Sequence, residues 1–226
     1  MRTPYLVDIN YKELIKEIIE KSYNILLAQI SKGRIIIDNE ASFQLQFSYI
    51  LKVIGELHQF SPDDLFSIRL ETPFLSEVEL AKSKSKRAKI DITVTMENRL
   101  QKENKVSCAI ELKYFQWANH REPNNRYDAF NDLLNLEEYV YSNQYNFGVF
   151  IIGTNHLHYV NQNNYSENTW DFDMRDGKTY KAGSLLEYKT MNPYGPAIQL
   201  KNDYVFSWDN INQKYFLKLL IEQCPS

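Results

Sequence analysis

The sequence of 226 residues predicts an α/β protein with a central mixed β-sheet flanked by helices. Three observations predict it. Two segments with apolar residues at helical spacing open the chain. Two strand-like segments then follow one another across a short polar link. Next come a strand, a helix and a nearly continuous apolar run, the pattern of a parallel crossover.

Residues 8–31 are the first predicted helix. Ile9, Leu14, Ile18, Ile19, Tyr23, Ile25, Leu26 and Ile30 recur at helical spacing, and Asp8 or Asn10 can cap it. "KGRIIIDN" breaks the pattern. Asp38 or Asn39 caps a second helix reaching about Gln59, with Phe43, Phe47, Ile50, Leu51, Ile54 and Leu57 on its apolar stripe. "LFSIRLETPF", 65–74, reads as a strand. "KSKSKRAKIDITVTM", 82–96, begins as a basic loop and becomes a strand at about Arg87. "VSCAIELKYF" is the next strand, and the short link between them favours an antiparallel hairpin. "NNRYDAFNDLLNLEEYVYSN" follows as a helix. "YNFGVFIIGTN" has the unbroken apolar character of a strand covered on both faces. Beyond about residue 160 the pattern suggests short strands and loops, then a last helix over 210–222 capped by Asp209. The expected organisation is a single domain over 1–226. It has a core at about 39–154, an N-terminal helix at 8–31 and a C-terminal extension at 155–226 of mixed strands and a final helix.

Composition narrows the function. The chain has 43% hydrophobic and 24% charged residues and a net charge of −3, which argues against a generic histone-like nucleic-acid binder. Its 7 glycines form no phosphate-cradling loop, so a P-loop or dinucleotide fingerprint is absent. No apolar run is long enough to cross a membrane, and the N-terminus is too charged for a secretory signal. Cys108 and Cys224 make an unpromising disulfide pair, so a reducing cytoplasm is expected.

The chemistry centres on "CAIELKYF", 108–115. Strand alternation projects Glu111 and Lys113 together, with Ile110, Leu112 and Tyr114 opposite. On the preceding strand the same alternation groups Lys89, Asp91, Thr93 and Thr95, and sets Ile90 with Ile92, Val94 and Met96. Asp91 and Glu111 then lie near one another, and two close carboxylates raise each other's pKa unless a cation intervenes. Mg²⁺ suits such a place, because it prefers oxygen ligands, keeps several waters and often takes only one or two carboxylates. The Leu112 carbonyl can add an oxygen. Lys113 would orient or deprotonate a water, or stabilise charge on a phosphate. Glu40 opens the second helix, with Gln44 one turn on along the same face.

Glu40, Asp91 and Glu111-Leu112-Lys113, in the order αβββαβ, resemble the PD-(D/E)XK nuclease superfamily with its restriction-endonuclease-like core. Ile90 stands where the motif's proline would be. The resemblance covers about 39–154. It implies a Mg²⁺-dependent endonuclease, with Mn²⁺ able to substitute, hydrolysing phosphodiester bonds in double-stranded DNA in restriction or host defence, and is compatible with a homodimer. Asp91 and Glu111 would bind metal with the Leu112 carbonyl, Glu40 would assist through a water, and Lys113 would act on the attacking water. Lys86, Arg87 and Lys89 of the basic run, with Gln44 and Arg126, are the expected nucleic-acid contacts.

Competing readings remain open at this point. Glu111 and Lys113 would also suit a solvated strand face paired to Lys89 or Asp91, and Glu40 a favourable acid in a helix first turn. The same fold also serves catalytically inactive binding modules and exonucleases or repair nucleases.

Overall fold

The computed structural model describes residues 9–80, 85–101 and 103–223, with side chains throughout except at 75–80 and 85–87. Its first two helices have local causes. In α1 (Tyr11–Ser31), Asn10 caps the N-terminus by accepting from the Lys12 and Glu13 N–H groups. Asp8 lies outside the described residues. α2 (Glu40–Glu56) starts in a capping box, in which the Asn39 side chain accepts from the Ser42 N–H and the Ser42 hydroxyl accepts from the Asn39 N–H. It ends short of Gln59.

β1 (Asp64–Leu80), β2 (Ser85–Asn98) and β3 (Lys105–Phe115) form an antiparallel meander. α3 (Glu122–Tyr141) crosses over to β4 (Phe147–Thr154), which pairs parallel with β3. After α4 (His158–Asn161) come four two-residue strands, β5 (Thr179–Tyr180), β6 (Leu185–Leu186), β7 (Ile198–Gln199) and β8 (Tyr204–Val205). β5 pairs with β8, and β6 with β7. β9 (Asp209–Ile211) and β10 (Lys214–Ile221) rejoin the main sheet, whose order is β1-β2-β3-β4-β10-β9. The fold is α/β, with a mixed central sheet between helical layers.

The helix expected over 210–222 is therefore a hairpin. "KYFLKLLI" can be read at either period, and two features decide for the strand. Asn212 and Gln213 both take left-handed φ values of 53° and 65°, giving a two-residue turn that matches strand twist. β10 also covers the edge of β4, whose backbone groups need a ladder partner inside the protein. Asp209 caps no helix; it lies in β9 and accepts a hydrogen bond from the Tyr23 hydroxyl at 3.1 Å.

The two sheet faces build separate cores. α1 and α2 cover Phe66, Ile92, Val94, Ile110, Leu112, Tyr114, Val149 and Ile151. Gly55 makes the close approach of α2 possible, since a Cβ there would meet the Phe66 ring at 2.1 Å. On the other face α3 packs over Ala109, Phe150 and Ile152, and is itself covered by Phe172, Tyr180, Ile198 and Phe206. Ile90 corrects the alternation read from the sequence. It packs on the α3 side with Phe74, whereas Ile92, Val94 and Met96 pack under α1 and α2. The strand changes face at Asp91. Among the described residues no helix is long and apolar enough to cross a membrane.

The segment after residue 155 is woven into this architecture. β10 lies between β4 and β9 within the main sheet. Glu137 of α3, fully buried, accepts from the Lys201 and Asn202 N–H groups and from the Tyr204 hydroxyl at 2.7–3.0 Å. Those bonds fasten the extension to the crossover helix.

Candidate functional site

β2 and β3 stop pairing where the charged side chains begin. Their last paired residues are Ile92 and Ile110. Beyond them the Leu112 N–H donates to the Asp91 carboxylate at 2.7 Å, and the Asp91 carbonyl accepts from the Gln44 amide at 2.7 Å. Backbone groups on facing strands are thus satisfied by side chains. On β1, Glu71 takes a φ of 51°, and its carboxylate accepts from the same Gln44 nitrogen at 3.3 Å.

Lys113 joins the two helical layers at this opening. Its Nζ lies 3.4 Å from Glu40 at the start of α2 and 3.0 Å from Asp132 on α3. It also donates to the Leu112 carbonyl at 3.2 Å. Glu111 and Asp132 are buried, with 5% and 1% exposure. Glu40 stands at the rim with 46% of its side chain exposed. Glu40, Asp91, Glu111 and Lys113, far apart in sequence, therefore share one locality.

The electrostatics are lopsided. Burial opposes the Lys113 ammonium, yet Asp132, Glu40, Asp91 and Glu111 together outweigh it and hold its pKa above the ordinary lysine value. Asp91 and Glu40 move the same way for a different reason. Burial, with Asp132 adding repulsion, raises Asp91 even though Lys113, the Leu112 N–H and a side-chain hydrogen bond with Glu111 favour its charged form. Burial, then Asp91 and Asp132, raises Glu40 against the opposing pull of Lys113. Among the described side chains, four carboxylates thus share the Lys113 ammonium, and negative charge there exceeds positive.

This donor set suits a hard divalent cation in part. Asp91 and Glu111 offer two carboxylates and Leu112 a carbonyl, enough for Mg²⁺, which fills its remaining positions with water. Glu40 is engaged with Lys113 and could contribute only through a water. Among the described residues no group of three or more His, Cys, Asp or Glu side chains is arranged to hold a metal, so the acids do not form a preassembled cage.

The expected nucleic-acid contacts fare unevenly. Gln44 faces the site and is spent on Asp91 and Glu71. Lys89 is exposed and lies 3.6 Å from Glu71. The side chains of Lys86 and Arg87 lie outside the described residues, as do Lys82, Lys84 and Cys224. Arg126 requires correction. It is 1% exposed and donates to the Thr169 and Phe172 carbonyls and the Thr169 hydroxyl, with Tyr165 stacked 3.7 Å from its guanidinium carbon. It organises the extension and presents nothing to a ligand.

Asp132 is the site residue that sequence reasoning missed. A signal existed: it falls between Ala129 and Leu136, three and four residues away, on the stripe a crossover helix turns to its sheet. Comparison of the chain with family models, with curated proteins and with solved structures returned no match.

Proposed function

We propose that this chain is a Mg²⁺-dependent phosphodiesterase of the PD-(D/E)XK type that cleaves DNA internally. One observation carries the reading: Asp91 and Glu111 lie together where β2 and β3 part, with Lys113 beside them. The order α2-β1-β2-β3-α3-β4, with β3 and β4 parallel, supports a restriction-endonuclease-like core. A restriction or host-defence role follows from that family likeness.

Asp91 and Glu111 would hold the metal with the Leu112 carbonyl. Bound there, the metal would neutralise charge on the scissile phosphate and make a water more acidic. The protein's own groups do the rest. Lys113 is an ammonium, so it serves as a charged donor to the phosphate or to the water, not as a base. Asp132 and Glu40 fix where that ammonium sits. Gln44 holds the Asp91 backbone, which keeps the Asp91 carboxylate on the Leu112 N–H.

Supercoiled circular DNA tests the reading, because a circle has no ends for an exonuclease. With Mg²⁺ or Mn²⁺, the wild type should nick or linearise it, and Asp91→Ala and Lys113→Ala should not. Equal cleavage by all three would refute the assignment of this site. No cleavage of any DNA or RNA offered would favour a nuclease-like binding module.

A further inference from the structure

The loop that follows β3 turns a tryptophan into solvent. Trp117 is 60% exposed, yet its backbone is firmly held. Its N–H donates to the Asn155 side chain at 2.8 Å, and the Gln116 amide just before it donates to the Asp38 carbonyl, two residues ahead of Glu40. The His120 ring meets the indole at 66° with centroids 5.6 Å apart. His120 takes a left-handed φ of 46°, uncommon for a residue that carries a side chain. Arg121 is exposed and donates to the Tyr194 hydroxyl at 3.2 Å. A phenol fixes the guanidinium without neutralising it, and the neighbouring Glu122 is engaged by His156 at 3.0 Å. Tyr194 is 45% exposed, and its ring stands at 88° to that of Tyr127. An aromatic ring, a cation and a second aromatic ring therefore meet solvent together, each tied to the fold by its neighbours.

One exposed aromatic residue is ordinary on any protein. Aromatic rings around an unneutralised cation are the surface on which a single nucleic-acid strand lies, its bases stacked on the rings and a phosphate on the guanidinium. The position agrees with that use. Trp117 follows Lys113 by four residues, so the two lie no more than roughly 14 Å apart along the chain. The Gln116 contact also ties the loop to the segment that leads into Glu40. We propose that Trp117, Arg121 and Tyr194 form a platform for an unpaired segment of the substrate strand beside the scissile phosphate. Trp117 stacks one base, Arg121 meets a phosphate, and Tyr194 stacks a further base. The charge of Arg121 at the centre selects a polyanion over an apolar protein face, and a duplex gains little there because its bases are already stacked and paired. The inference rests on the phosphodiesterase reading and narrows its substrate to DNA with unpaired bases at the site.

Fluorescence anisotropy of a short labelled oligothymidylate tests it on the full chain, in EDTA so that no cleavage intervenes. Trp117→Ala should weaken binding by roughly tenfold, and Trp117→Phe, which keeps a ring, should bind nearly as the wild type does. Arg121→Ala should lower the slope of log affinity against log salt by about 0.7. A duplex of the same length should bind more weakly than the single strand and should not respond to Trp117→Ala. The assay holds no metal, so its outcome is separate from that of the cleavage test. Trp117-dependent strand binding without cleavage of any DNA supports the platform and leaves the phosphodiesterase reading to fall alone. No binding of the strand, binding that Trp117→Ala and Arg121→Ala leave unchanged, or a duplex held as tightly as the single strand overturns the inference, even where cleavage that depends on Asp91 is found.

Discussion

Asp132 and Glu137 stand five residues apart on α3, both almost completely buried, and their surroundings could hardly differ more. Glu137 receives two backbone N–H groups and a tyrosine hydroxyl, and the charge of Lys201 adds to them. Burial still raises its pKa, but its donors all come from one short segment, residues 201–204. Asp132 meets the Lys113 ammonium at 3.0 Å, and Glu40, Asp91 and Glu111 draw on that same charge. A buried acid with its own full set of donors is a fastener. A buried group of acids short of positive charge is a place that gains by taking up a cation. On the proposed reading, the difference separates structure from function on one helix.

The largest expected effect comes from Lys113→Met. Removing the ammonium leaves the carboxylates facing one another, which should lower stability by about 3 kcal/mol at neutral pH. Protonation relieves that repulsion, so the loss measured by urea unfolding should shrink as pH falls through the carboxylate range. DNA cleavage should fall by roughly three orders of magnitude.

Glu137→Gln comes next. It turns an amide NH₂ toward N–H donors and should lower stability by about 2 kcal/mol, while the cleavage rate per folded molecule stays unchanged. A large loss of rate with intact stability would invert the comparison.

Asp91→Asn should separate the two properties in the opposite sense. The pKa of Asp91 is raised in the folded protein, so folding favours its neutral form. Its contribution is most favourable below the ordinary carboxylate pKa and is lost as pH rises through the higher folded value. Asparagine keeps an acceptor for the Leu112 N–H without the charge. Thermal melts should therefore show the variant more stable than wild type at pH 7, with the gap closing near pH 3, and cleavage abolished throughout. A variant less stable at pH 7 would show that Asp91 is chiefly a structural acid.

Glu40→Gln should be the mildest change. Glu40 is at the rim, so stability should move by less than about 0.5 kcal/mol, with cleavage down by roughly tenfold in initial-rate assays. A stability loss like that of Lys113→Met would place Glu40 among the structural groups.

Much of the core could be read before its coordinates. The stripes of α1 and α2, the β2–β3 hairpin and the β3–α3–β4 crossover are written in strong periodicities. Glu111 and Asp91 are conspicuous because each interrupts an apolar strand. The failures have physical causes. β10 carries an apolar run compatible with both periods, and the choice was made by the open edge of β4, far away in sequence. Arg126 looks like a phosphate ligand because nothing local reveals that carbonyls 43 and 46 residues on will enclose it. Glu137 was invisible for the same reason. The face change at Asp91 depends on Gln44 and Leu112 taking its backbone and side chain out of the regular ladder, which alternation alone cannot express. The apolar stripe of α2 was legible only in part: Leu57 was assigned to it and is exposed.

The most direct measurement is a calorimetric titration of Mn²⁺, standing in for Mg²⁺, into wild type, Asp91→Asn and Glu137→Gln. The charge imbalance around Lys113 predicts one site in the wild type, the same site in Glu137→Gln, and its loss in Asp91→Asn. Binding that Asp91→Asn leaves intact, or no binding to any of the three, would contradict the assignment of the under-neutralised acids to a metal.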